Sequence, residues 1–90
     1  MELNKYGKLA EKHLKENKPE FYDRLVKDNN LDSFLEDVQK HLNNYANLVE
    51  FELREKNPFP DNNELNEIIS YIKTMRVKID YLVKKEIELI

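Results

Sequence analysis

The chain contains no cysteine and no tryptophan, and only one glycine and three prolines among its 90 residues. Each shortage removes a class of structure or chemistry. Without Cys there are no disulfides, thiolate zinc sites or thiol nucleophiles. With so little Gly and Pro, a many-stranded β fold lacks the residues its turns need. No apolar run is long enough to span a membrane. Glu2 and Asn4, with no apolar run behind them, are unlike a secretory leader, so a cytoplasmic protein is expected. A net charge of −3 disfavours nonspecific binding of nucleic acid by the whole surface.

What remains is charge and helical periodicity. Charged residues make up 37% of the chain and hydrophobic ones 40%, which suits a helical domain with one thin core. Residues 1–90 are expected to form a single domain, near the lower size limit for independent folding. The longest signal runs from Glu64 to Ile90. There Leu65, Ile68, Ile69, Ile72, Met75, Ile79, Leu82, Val83, Ile87 and Ile90 recur at steps of three and four. Asp61, with Glu64 three places on, gives this helix a capping-box-like start.

Upstream, Leu3 to Glu16 predicts a first helix with Leu3, Tyr6, Leu9, Ala10, His13 and Leu14 on one side. Gly7 is a weak point in it, worth up to about 1 kcal/mol against Ala. Pro19 breaks the chain after Asn17-Lys18 and suits the first turn of a second helix, Pro19 to Lys27. Asp28-Asn29-Asn30 ends that helix and offers caps for a third, Leu31 to Lys56. The third helix carries the stripe Leu31, Leu35, Val38, Leu42, Tyr45, Val49 and Leu53. A proline-stiffened turn, Asn57-Pro58-Phe59-Pro60-Asp61, then joins two helices of similar length, with Phe59 plugging the end of the core. The expected fold is all-α: a long antiparallel hairpin with two shorter N-terminal helices folded across it, four helices in a bundle-like arrangement.

One family shares these residues. Lys5-Tyr6-Gly7-Lys8, the segment Leu14-Lys15-Glu16-Asn17-Lys18-Pro19-Glu20-Phe21-Tyr22 with Leu25, and Leu31 and Leu35 resemble the TnpV family. These are small proteins encoded on bacterial transposons and conjugative elements. The last helix is similar through Met75-Arg76, Leu82-Val83 and Glu88-Leu89-Ile90. Three features depart from the family pattern: no glycine-rich segment precedes Lys5, His13 stands where Tyr is usual, and the last helix has no Trp. The resemblance implies a mobile-element origin, a helical fold and a loose association with element excision. It implies no reaction.

Candidate chemistry is sparse. Asp37 and His41, four apart, could offer a metal two ligands and His13 a third, but neither Glu-x-x-His nor His-Glu-x-x-His occurs. Ser33, with Glu36 three residues on, reads as a cap; Ser70 and Thr74 read as solvent-facing. No histidine is linked to them in a triad pattern. The carboxylates are interleaved with lysines as in solvated i,i+4 pairs. No catalytic residue, metal or cofactor is expected, and the protein reads as non-enzymatic.

Binding surfaces are better represented. Lys5, Lys8, Lys12 and Lys15 share one arc of the first helix and Lys18 follows, which would suit a DNA backbone. The second helix answers with Glu20, Asp23 and Asp28, which would repel phosphate. Leu48, Phe51, Tyr71, Val77 and Tyr81 lie off the main seams and are candidate contacts for a protein partner or a second copy in a homodimer. Arg76 projects near the centre of the last apolar stripe and needs a partner, with Asp80 one turn on, or Glu36 or Asp37 across the hairpin. The function expected is that of an accessory protein of a bacterial mobile element acting by protein–protein contact. Two alternatives stand beside it: an anti-CRISPR-like inhibitor of a host defence nuclease, and a DNA-associated excision or regulatory factor using the lysine face. No membrane partner is expected.

Overall fold

A computed structural model describes residues 2–59 and 64–90. Asn4 starts the first helix: its side-chain oxygen accepts from the backbone N–H groups of Tyr6 and Gly7, each at 3.0 Å. This satisfies two of the donors that a helix N-terminus leaves open. Helix α1 (Lys5–Asn17) therefore begins two residues later than the apolar pattern suggests, with Leu3 packed outside it. Pro19 occupies the first position of α2 (Pro19–Lys27), where its fixed φ and missing N–H cost nothing.

The Asp28-Asn29-Asn30 segment is a C-terminal device. Asn29 takes φ 58°, its N–H donates to Val26 O, and the Asn30 N–H donates to Leu25 O at 2.9 Å. That is a Schellman closure with Asn at the left-handed position. Contrary to the sequence expectation, neither Asn30 nor Ser33 caps the next helix by a side chain. Helix α3 (Leu31–Lys56) starts at Asn30 without a side-chain cap bond, and Ser33 sits exposed inside it. Helix α4 (Leu65–Ile87) stops three residues short of the predicted end; Glu88–Ile90 form a closing turn. Pro60, and Asp61 as its proposed cap, lie outside the described residues.

His41 on α3 meets Glu86 near the end of α4, while the carbonyl of Asn57, just past α3, accepts from Tyr71 near the start of α4. The two long helices thus run antiparallel, as their stripes predict. Helix α1 lies in the groove between them, against α3 through Asn4–Gln39 and Asn4–Asn43 and against α4 through Lys5–Asp80. At its far end Lys18 reaches the backbone oxygen of Ile90. The fold is all-α.

Burial is concentrated under α1 and α2. Ala10, Leu14, Leu35, Leu42, Ala46, Val83 and Ile87 form one cluster, rimmed by Tyr22, Leu25 and Phe34. Fully burying Leu14, Leu42 or Val83 contributes about 1.5–3 kcal/mol each. Phe21 adds an edge-to-face contact on Phe34, ring centres 5.3 Å apart. Among the described residues, Gly7 in α1 is also buried, as are Val49 and Met75 toward the hairpin tip. The radius of gyration of 16.4 Å exceeds the roughly 12 Å of a spherical domain this long, so the hairpin projects beyond its cover.

Three expectations are corrected here. Phe59 does not plug the core; it is about half exposed and leans edge-on against Tyr71, centroids 4.9 Å apart. Leu65, Ile69 and Ile72, counted in the buried stripe, are exposed because nothing among the described residues lies over them. Gly7 is no mere weak point. It is buried, and a Cβ there would collide with the Gln39 side-chain oxygen and with Leu3.

Candidate functional site

Helix α1 has 13 residues and α3 has 26, so at 1.5 Å per residue α1 can cover only about half of the groove. On α4, Val83 and Ile87 are buried in the core that α1 shares. Counting back from Val83 at 3.6 residues per turn, Arg76, Ile72, Ile69 and Leu65 fall on the same face. They continue the bed of α1 with no helix upon it. Ile72 is 45% exposed and Leu65 69%, which a packed stripe would not allow.

Where α1 ends, the groove opens into a cleft of about 600 Å³, with Ala46, Ile72, Met75 and Ile79 contributing its apolar surface. The α3 wall is polar, with Asn43, Asn47, Glu50 and Arg54; Lys5 and Tyr6 close the α1 end. Its charges are mostly spoken for. Lys5 Nζ lies 2.8 Å from Asp80 Oδ1, and Arg54 lies 2.8 Å from Glu50 on the same helix. Asp80 is therefore taken by Lys5, and Arg76 does not pair with it, nor with Glu36 or Asp37. Among the described residues Arg76 has no ion pair, and it is exposed. Burial, and secondarily the charge of Asp80, push the Tyr6 phenol above its ordinary pKa, while Lys5 and Arg76 pull the other way.

The lysine arc is engaged. Lys5 holds Asp80, Lys12 is 4.0 Å from Glu16, Lys15 stands over the Tyr22 ring at 5.3 Å, and Lys18 meets Ile90. Lys8 alone of the five has no such contact among the described residues.

The five apolar candidates do not form one surface. Leu48, Phe51, Val77 and Tyr81 are exposed, but Phe51 lies about 180° from Leu42 on α3 and Val77 about 160° from Met75 on α4. These two point to opposite outer flanks of the hairpin. Tyr81 carries Lys85 over its ring at 5.2 Å. Tyr71 turns inward, donating to Asn57 O at 2.7 Å and packing on Phe59. The residues that sequence reasoning missed are Leu65, Ile69 and Ile72. Their signal is present, since α4 is apolar over a wider arc than one neighbour can cover, but the same spacing also describes a buried stripe.

The two histidines weighed as metal ligands have other partners. His41 Nε2 is 2.7 Å from Glu86, and His13 Nδ1 is 3.2 Å from the Asn17 amide. Among the described residues no three His, Asp or Glu side chains are grouped to hold an ion, and no helix is long and apolar enough to cross a membrane.

The family model for the transposon-encoded protein TnpV matches residues 1–87. No curated protein and no solved structure matches the chain.

Proposed function

The chain belongs to the TnpV family of transposon-encoded proteins, and from that premise we propose that it is a non-enzymatic accessory protein of a bacterial mobile element, working by holding another protein in the open half of its groove. The observation that carries this reading is the bed of α1 continuing past the end of α1, with Ile72 and Leu65 uncovered and Arg76 in no ion pair among the described residues. Apolar surface in a line, flanked by polar residues, marks contact sites. The carboxylates of the cleft, Glu50 and Asp80, are each held by a cation, the arrangement of surface ion pairs and not of an acid–base pair. The contacts that occupy Lys5, Lys12, Lys15 and Lys18 weaken the case for a phosphate-binding face. Inhibition of a host defence nuclease would be contact of the same kind, with a different partner.

The test is photo-crosslinking in cells that carry the element, with the reactive group at residue 72, beside a duplex-DNA binding series in salt. The reading expects a crosslinked protein at the groove and no retention of duplex. Duplex binding with a steep salt slope that Lys8→Glu abolishes would overturn it, because phosphate contacts release counterions and protein contacts do not.

A further inference from the structure

Resting on that reading of the groove, we propose that its occupant is an amphipathic α-helix with a carboxylate on its groove-facing side, laid end to end with α1 and bound through Arg76. Three observations converge on this chemistry. The first is continuity: the same groove already seats a helix over its other half, where α1 enters through Gly7, Ala10 and Leu14, spaced three and four apart. Two of those residues are small, so the groove is narrow at its floor, and Ala46 carries that floor into the open half.

The second is backbone chemistry. Both walls are helices whose main-chain groups are satisfied internally, so they offer no edge to an extended peptide. A strand laid against Ile72, Ile69 and Leu65 would leave its own N–H and C=O groups facing apolar side chains that cannot pair with them. A helix brings its hydrogen bonds with it. Asn43 and Asn47 on the opposite wall meet its polar flank.

The third is charge. The cleft holds three cations, Lys5, Arg54 and Arg76, and two anions, Glu50 and Asp80. Both anions are consumed by Lys5 and Arg54. Among the described residues Arg76 is left over, with Ile72 one turn before it, Ile79 close after, and Asp80 one turn on already held by Lys5. A carboxylate is its natural bidentate partner. The span from Leu65 to Arg76 is about three helical turns.

A displayed library of helix-forming peptides about four turns long, selected against the full chain, tests this. Enriched peptides should carry Asp or Glu within a stripe of small and apolar residues. Arg76→Glu should weaken them by about tenfold or more and shift reselection toward Lys or Arg at that position. Ile72→Asp should abolish binding. Lys78→Glu, the same charge change outside the cleft, should leave it intact. Arg76 and Ile72 are exposed, so unchanged circular dichroism and Tm separate lost binding from lost fold. Three results would overturn the proposal: no peptide above background, enrichment without acidic residues, or equal binding by Arg76→Glu. Sedimentation of the chain alone as a dimer that Ile72→Asp splits would give the groove to a second copy and overturn it as well. A crosslink at residue 72 in cells with no helical peptide selected would leave the groove as a contact site and remove only the acidic helix.

Discussion

Gln39 occupies the space that a side chain at Gly7 would need, and from there its Oε1 accepts the Asn4 N–H at 2.7 Å. The one glycine of the chain is thus a contact of α1 with α3, and α1 is tied down at the end where the open groove begins. Helix propensity alone would make Gly7→Ala stabilising by about 1 kcal/mol. Here the methyl must displace Gln39 from Asn4 and crowd Leu3. The two nearest atoms are the ends of flexible side chains, so losing that exposed bond and crowding Leu3 cancel the propensity gain without reversing it. Gly7→Ala should therefore leave stability within about 0.5 kcal/mol of the parent, and in a Gln39→Ala background it should stabilise by up to about 1 kcal/mol. Denaturant melts of the four proteins give the coupling directly.

The two halves of the hairpin should respond differently to truncation. Leu14 and Val83 are fully buried in the shared core, so Leu14→Ala should cost about 2–5 kcal/mol. Leu65→Ala, on the same repeating pattern but without cover, should stay within about 0.5 kcal/mol. Equal losses by urea unfolding would mean that the tip is packed after all.

That contrast marks how far the sequence could be read. Both ends of α2 and the start of α3 were legible because Pro19 and the Asp28-Asn29-Asn30 tract are punctuation with a mechanism. The antiparallel pairing followed from two long stripes and a short connection. Periodicity says which face of a helix a residue is on, but not how far along that face a neighbour extends. The Leu65-Ile69-Ile72 stretch was therefore indistinguishable from Val83-Ile87. The lysine arc was legible as a face, whereas the contacts of Lys5 with Asp80 and of Lys18 with Ile90 join residues more than seventy positions apart and left no local trace.

Asn29 offers a smaller test. Its φ of 58° is tolerated by Asn, free for Gly and costly for a β-branched side chain. Asn29→Gly should be neutral or stabilising by a few tenths of a kcal/mol. Asn29→Val should lose about 1–2 kcal/mol and loosen the α2–α3 junction. Thermal melts rank the three, and Asn29→Val melting as high as the parent or Asn29→Gly would reject the Schellman closure.

Tyr6 reports on the mouth of the groove. Burial and the charge of Asp80 raise its pKa above 10.0, so the fold favours the neutral phenol. For a group raised in the folded state, the stabilising contribution is complete below the unfolded pKa and is lost as pH rises through the folded one. Stability should thus fall above about pH 10, with a smaller fall in Tyr6→Phe. The neighbouring charges give the sharper prediction. Arg76 lowers the Tyr6 pKa and Asp80 raises it, so Arg76→Glu should move the tyrosinate absorbance step to higher pH and Asp80→Asn to lower pH. An acidic helix seated on Arg76 would offset the guanidinium's field and shift the same step upward. The difference between the titrations of the parent and of Tyr6→Phe isolates this step from the other four tyrosines, and so reads both the free groove and its occupation. A Tyr6 step indifferent to Arg76→Glu would mean that the guanidinium does not face the cleft, and would take the acidic partner with it.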